Sequence, residues 1–144
     1  MFPFSIKGEF ELAKENTIAT DHLLDKIEQE LEIVRAKQIS RLDNMIVFQA
    51  GIFRPVSNLN VLAAVGKGSI EVIPSLPIKI RYYFSCVQML VTSIILASVF
   101  GLMESSFLQA CVIGFFVFGL NYLISTIRLP LFVRQAADVS RSNT

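Results

Sequence analysis

Residues that bind metals and cofactors are scarce in this chain. Its 144 residues include one His, two Cys and no Trp, too few ligands for a zinc centre, a haem or an iron–sulfur cluster. Charge is scarce as well, because 17% of the residues are charged and the formal net charge is +1. A near-neutral chain lacks the electrostatic footprint of a nucleic-acid-binding protein. We therefore expect no cofactor, no metal and no nucleic-acid partner.

Two long stretches lack charge altogether. Residues 82–103 contain no charged side chain over 22 positions, and residues 105–127 contain none over 23. About 20 mainly apolar residues can cross a bilayer, so the pattern predicts spans at about 83–103 and 106–127. A buried helical hairpin in a soluble protein is the alternative, but a domain of this size has little surface with which to cover it.

Positive charges flank these stretches at their outer ends. Lys79 and Arg81 precede the first span. Arg128 and Arg134 follow the second, whereas the loop around Glu104 contains neither Lys nor Arg. The positive-inside rule then predicts an integral membrane protein with two spans and both termini cytoplasmic, in the inner or plasma membrane if the source is bacterial. The first residues lack the pattern of a signal peptide, so the first span is expected to direct insertion.

Residues 1–82 have the charge density of a soluble domain. Apolar residues alternate from Phe2 to Leu12, which predicts a half-buried strand. From about Ile18 to Lys37 the apolar residues recur at helical spacing, which predicts one helix packed on a sheet. The apolar positions of this helix are Leu24, Ile27, Leu31 and Val34.

Strand patterns follow the predicted helix. Residues 45–53 and 78–84 read as extended, residues 60–65 are a shorter candidate, and residues 69–73 continue after a glycine turn at 66–68. The expected order is one strand, one helix and then three or four antiparallel strands. Because the last strand leads directly into the first span, we expect the sheet to rest at the bilayer surface.

The predicted organisation has three parts. These are a cytosolic α+β domain at 1–82, with an antiparallel sheet and one packed helix, a transmembrane helical hairpin at 83–128, and an interfacial segment with a disordered tail at 129–144. Pro130 lacks a backbone donor, so we expect the second helix to end near Arg128. Apolar residues mixed with arginine beyond it are typical of a segment at a membrane interface.

Small residues recur every four positions in both predicted spans. Such stripes let helix backbones approach one another closely. The predicted helix-packing residues are Ser93, Ala97, Gly101, Ser106, Ala110, Gly114 and Asn121. An antiparallel hairpin pairs the small residues at equal depth, with Gly101 beside Ser106, Ala97 beside Ala110 and Ser93 beside Gly114. Asn121 is expected to face the first helix.

Three polar side chains are candidates for contact with a partner. Gln88 points away from the small-residue stripe, so it either reaches the lipid headgroups or meets another chain. Glu28 and Glu32 belong to the acidic face of the predicted helix, which is either solvated or docks a basic partner. His22 has no matched partner in the sequence, and no set of nucleophile, base and orienting group emerges, so we expect no enzyme.

These patterns lead to two functional hypotheses. The first is a small non-catalytic membrane protein, an accessory, assembly or anchoring subunit. Its cytosolic domain would bind a protein partner, or a second copy of the chain, at the surface of the lipid bilayer. The alternative is a bacterial immunity or defence-type membrane protein that neutralises a toxin or responds to a ligand.

Overall fold

Five strands and three helices make up the described part of the chain. The computed structural model describes residues 4–12, 20–49, 65–104 and 106–138. The strands form one antiparallel sheet, which confirms the predicted α+β class. The elements are β1 (Ser5–Glu11), α1 (Thr20–Ile33), β2 (Lys37–Leu42), β3 (Met45–Gln49), β4 (Lys67–Ile73), β5 (Lys79–Ser85), α2 (Val87–Glu104) and α3 (Phe107–Ala137).

The strand order attaches the helical hairpin to an interior strand of the sheet. The strands lie in the order β1-β5-β4-β3-β2, so the first and last strands of the chain are neighbours. Ser85 at the end of β5 is paired with Ser5 on one side and with Lys67 on the other. Because α2 begins two residues after Ser85, the hairpin leaves the sheet from a strand that is held on both edges.

The sequence pattern missed β2. α1 ends at Ile33 instead of Lys37, and β2 begins at Lys37. Arg35 adopts a φ of 60°. The amide of Ala36 donates to Leu31 O at 2.8 Å, and that of Arg35 donates to Glu32 O at 2.8 Å, which together form a Schellman motif. This left-handed cap ends the helix without glycine and turns the chain into the edge strand.

Glycine also misled the strand prediction. The turn expected at 66–68 is wrong for Lys67 and Gly68, which belong to β4. A Cβ at Gly68 would come within 2.7 Å of the Phe48 ring and within 2.8 Å of the Phe84 ring. Glycine is needed there for close packing of two aromatic side chains. Most of the predicted strand at 60–65, and residues 50–53 of the one at 45–53, lie outside the described residues.

α3 is longer than the predicted second span. It runs for 31 residues, from Phe107 to Ala137, and passes through Pro130. The prediction that Pro130 ends the helix near Arg128 is therefore wrong. The helix stops only at Asp138, whose backbone amide donates to Gln135 O at 3.2 Å.

The last two turns of α3 lie in the core of the α+β unit, where an interfacial segment was expected. The buried residues are Leu129, Phe132, Val133, Ala136 and Ala137. Complete burial of a side chain such as Leu or Val contributes about 1.5–3 kcal/mol. A few such residues outweigh the roughly 3 kcal/mol that an internal proline costs a helix. Residues 139–144 of the expected disordered tail lie outside the described residues.

Two helices thus share the inner face of the sheet. Leu24, Ile27 and Leu31 of the predicted α1 stripe are fully buried, and Val34 packs against the same core. The largest buried side chains of the strands are Phe48, Phe84, Ile46, Ile70 and Ile80. The prediction of a helix packed on the sheet is confirmed for α1, but the contribution of α3 to this core was not foreseen.

Leu129→Asp should unfold the α+β unit, because it would bury an unpaired carboxylate at a cost of about 3–5 kcal/mol. Leu131→Asp is the matched control, since Leu131 is 51% exposed two residues further along the same helix. Thermal unfolding and limited proteolysis of the full chain in mild detergent would separate the two variants. Equal unfolding midpoints would mean that the end of α3 is not part of the core.

Candidate functional site

α2 and α3 form an antiparallel hairpin whose large apolar side chains face outwards. Leu102 is 84% exposed and Phe107 is 85% exposed. The other large exposed residues of the hairpin are Val87, Val91, Ile94, Ile95, Leu96, Val99, Phe100, Met103, Leu108, Val112, Phe115, Phe116, Leu120, Leu123, Ile124, Ile127 and Leu131. An exposed apolar surface of this extent marks a site of contact with a membrane or a protein.

Of the helices in the described part of the chain, α3 alone is long and apolar enough to cross a membrane. Only 6% of its most apolar stretch is buried. The apolar part of α2, Val87–Met103, is too short to meet the same criterion of length. The predicted first span at 83–103 needs correction at its start, because residues 83–85 belong to β5 and Phe84 lies in the core.

Five polar side chains on the hairpin donate hydrogen bonds to the backbone of their own helix. The hydroxyls of Thr92, Ser93 and Ser98 donate to the carbonyl four residues earlier, at 2.8–2.9 Å. The Thr126 hydroxyl and the Asn121 amide do the same on α3. Such bonds satisfy polar groups without water, which a helix in an apolar medium requires.

The small-residue stripes of the two helices meet. A Cβ added to Gly101 would lie 2.8 Å from the Cβ of Ala110, and one added to Gly114 would lie 2.8 Å from the Cβ of Ala97. Ser93 is buried, and its carbonyl lies 3.7 Å from that same added Cβ of Gly114. Gly101 thus lies against Ala110 instead of the predicted Ser106, and Ala97 lies against Gly114 instead of the predicted Ala110. Each observed partner is one helical turn beyond the predicted one. Ser106 accepts a 3.5 Å hydrogen bond from the amide of Gln109 and caps α3.

An open apolar groove of about 860 Å³ follows these contacts on one side of the hairpin. Small residues from both helices line it, together with large apolar side chains such as Leu90, Phe115 and Phe118. The hydroxyls of Ser93 and Ser98 in its lining are already bonded within α2. The groove therefore offers apolar surface and little hydrogen-bonding capacity.

The two polar candidates on the hairpin occupy different surroundings from those expected. Asn121 is exposed and bonded to Val117 O at 2.8 Å, so the structure does not bury it against α2. The side-chain oxygen of Gln88 is buried beside Gly66 and has no hydrogen-bond partner among the described residues. Gln88 is thus turned towards the start of β4.

A polar cleft of about 590 Å³ separates α1 from the end of α3. Its lining residues are His22, Asp25, Lys26, Gln29, Glu30, Ile33 and Gln135. Lys26 donates to the backbone oxygen of Asp138 and so joins the two helices. Glu32 is exposed and Glu28 half-buried on the same helix. No group of three His, Cys, Asp or Glu side chains in the described ranges could hold a metal ion.

The outer face of the sheet carries an ion-pair network at the end far from the hairpin. Arg81 lies between Glu9 at 3.1 Å and Glu71 at 3.3 Å. Lys79 contacts Glu11 at 3.2 Å. Lys79 and Arg81, which flank the first span in sequence, are therefore opposed by carboxylates in the fold. Exposed pairs of this kind contribute about 0.2–1 kcal/mol each.

Strand pairing places other lysines near the hairpin. Lys67 is paired with Ser85, and Lys37 is paired with Gln49, which is itself the partner of Lys67. These lysines are not recognisable in the sequence, because only the register of the sheet brings them beside the end of β5. A correct prediction of the strand order would have been needed to find them.

The two cysteines are unlike each other. Cys86 is buried at the junction of β5 and α2, and Cys111 is exposed on α3. Burial raises the pKa of the Cys86 thiol, and a hydrogen bond with the backbone of Ile6 acts in the opposite direction. A buried thiol with a raised pKa is a packing residue and a poor nucleophile.

Gly114→Leu should force α2 and α3 apart, because even a Cβ at Gly114 would come too close to Ala97. Overpacking of this kind costs about 1–3 kcal/mol. Gly119→Leu is the matched control, since nothing lies within 4 Å of a Cβ added there. Thermal unfolding in mild detergent should show a lower midpoint for the first variant only. Equal midpoints would contradict the close contact of the helices.

Comparison with known proteins found no match to this chain among protein-family models, curated proteins or solved structures.

Proposed function

We propose that the chain is a small non-catalytic membrane protein that holds its α+β domain at the bilayer surface for contact with a protein partner. The observation that supports this proposal most directly is the continuity of α3. One unbroken helix joins the exposed apolar segment that begins at Phe107 to the core residues that end at Ala137. An inserted hairpin would therefore fix the position of the domain without a linker.

Both helices cross the bilayer in this proposal. The 18 residues of α2 give a length of about 27 Å at 1.5 Å per residue. This is close to the hydrocarbon thickness of about 30 Å, and a small mismatch is met by local thinning of the bilayer. The contacts of Gly101 with Ala110 and of Ala97 with Gly114 set Val87 level with Ile124. The two apolar segments then begin and end at matching depths.

Charge supports a cytoplasmic location for the α+β domain and both termini. Arg128 is exposed one turn beyond Ile124, on the domain side of the apolar segment. The connection from Glu104 to Ser106 contains no Lys or Arg. By the positive-inside rule, the domain side remains in the cytoplasm and the connection is translocated.

The protein partner is proposed to dock on α1. Its outer surface carries Glu28 and Glu32, and His22, Asp25 and Glu30 line the neighbouring cleft. Acidic side chains around a polar cleft are complementary to a basic surface, and such complementarity increases association rates.

Reporter fusions test the topology. A cytoplasmic reporter should be active at either terminus, and a reporter that is active only after export should be silent at both. Insertion of that second reporter at Ser106 should make it active. Opposite signals from the two termini would mean that α2 does not span, and the two-span proposal would fail.

A photo-crosslinking residue in place of Glu32 tests the docking surface. We expect it to give one specific protein adduct in cells, and Glu28→Lys should reduce the yield several-fold by reversing the charge beside it. The same probe in place of Glu71, on the opposite face of the sheet, is the control. An equal adduct from both positions, or none from Glu32, would rule out docking on α1.

A further inference from the structure

The strands of the sheet run alongside α3. Near the start of β1, the Phe4 ring lies 6.4 Å from the Phe118 ring. Near its end, the guanidinium carbon of Arg134 lies 5.6 Å from the centre of the Phe10 ring. The two contacts span about 20 Å of strand and about 24 Å of helix, so β1 and α3 run side by side in the same direction. One end of every strand therefore points towards the apolar hairpin.

A row of the sheet lies at this end. Its members, in order across the strands, are Ser5, Ser85, Lys67, Gln49 and Lys37. Neighbouring strands are about 4.8 Å apart. The backbone of Lys67 is therefore one strand away from that of Ser85, and the backbone of Lys37 is about 15 Å away from that of Ser85. Lys7 lies two residues further along β1, in the next row on the same face of the sheet, where it is paired with Tyr83. All three lysines are exposed.

Charge is separated along the strands. The two rows nearest the hairpin contain no carboxylate among the described strand residues. The carboxylates of Glu9, Glu11 and Glu71 lie in the rows beyond, paired with Lys79 and Arg81. Neither Lys37 nor Lys67 forms an ion pair with a described residue. The carboxylates of α1 belong to the opposite face of the sheet, on which α1 packs.

The depth of this row matches the start of the apolar segment. Ser85 precedes the first residue of α2 by two positions, and Arg128 is exposed one turn below Ile124. The lysines and Arg128 thus lie near the domain-side end of the apolar surface of the hairpin, at the level where lipid phosphates begin when it is inserted.

We propose that Lys37 and Lys67, with Lys7 on the same face of the sheet and Arg128 on α3, bind the phosphate headgroups of anionic lipids in the leaflet from which α2 and α3 enter. This inference rests on the membrane insertion proposed above. A lysine ammonium is a compact point charge that suits a mobile lipid phosphate. Basic groups close to an anionic leaflet are attracted by its negative surface potential, which acts over about one Debye length. The lipids hold the domain upright, in the orientation that presents α1 to a partner.

Lipid titration of the purified full chain by native mass spectrometry tests the proposal. Phosphatidylglycerol should bind wild type more tightly than phosphatidylcholine does. Each lysine near an anionic surface contributes roughly fivefold to affinity, so Lys37→Gln with Lys67→Gln should weaken phosphatidylglycerol binding about 25-fold. Phosphatidylcholine binding should not change. Lys37→Arg with Lys67→Arg should retain the preference.

Lys79→Gln with Arg81→Gln is the matched control, because it removes the same charge from the same face at the far end of the strands. An equal loss in this control would show that net charge alone matters, and full retention by the Lys37 and Lys67 double variant would show that the row binds no lipid. Either result overturns the inference.

Alkaline extraction of wild type and of the double variant from phosphatidylcholine vesicles separates this inference from the insertion on which it depends. Both proteins should remain in the membrane, since the hairpin anchors them. Release of wild type would refute the insertion itself, whereas retention without a phosphatidylglycerol preference would refute only the lipid site.

Discussion

Burial of the end of α3 in the core of the sheet is the interaction on which the rest of the structure depends. Leu129 and Val133 are fully buried beside α1 and the strands, although they belong to the same helix as the exposed Phe107 and Phe115. Because a helix interior is stiff, this packing fixes the direction in which the whole apolar hairpin leaves the domain. β5 makes the second connection, since it passes into α2 from the interior of the sheet. The hairpin is thus attached to the domain at both of its ends.

Between these attachments, the hairpin is held by close contact of small residues. Gly101 and Gly114 leave room for Ala110 and Ala97, so only an alanine methyl group separates the two backbones at each contact. Hydroxyl and amide groups on both helices donate to their own backbones, and most of the exposed surface of the hairpin is apolar. An apolar medium suits this arrangement, because the backbone groups already have hydrogen-bond partners within the helices. In water, the exposed large apolar side chains of the hairpin would be hydrated, which is unfavourable in free energy.

The charges of the sheet are arranged along the same axis. Arg81 and Lys79 are opposed by carboxylates at the end far from the hairpin, and Lys67 and Lys37 occupy the near end. In the proposed inserted state, this separation would link the depth of the hairpin in the bilayer to the orientation of the domain. A lipid surface on the near side would leave the acidic surface of α1 and its cleft accessible to a protein.

The sequence by itself determined the class of fold, the α1 stripe and the two apolar helices, because each depends on periodicity or on runs of one residue type within a short window. Four of the small residues that it singled out, Ala97, Gly101, Ala110 and Gly114, lie in contact between the two helices. The register of that contact, the strand β2 and the continuation of α3 through Pro130 were decided by tertiary structure. Arg35 could end α1 in a left-handed conformation only because Ala36 and Leu31 close the cap, and Pro130 is tolerated because the residues beyond it fill the core. The lysine row is likewise invisible in the sequence, since Lys7, Lys37 and Lys67 lie far apart along the chain and only strand pairing aligns them.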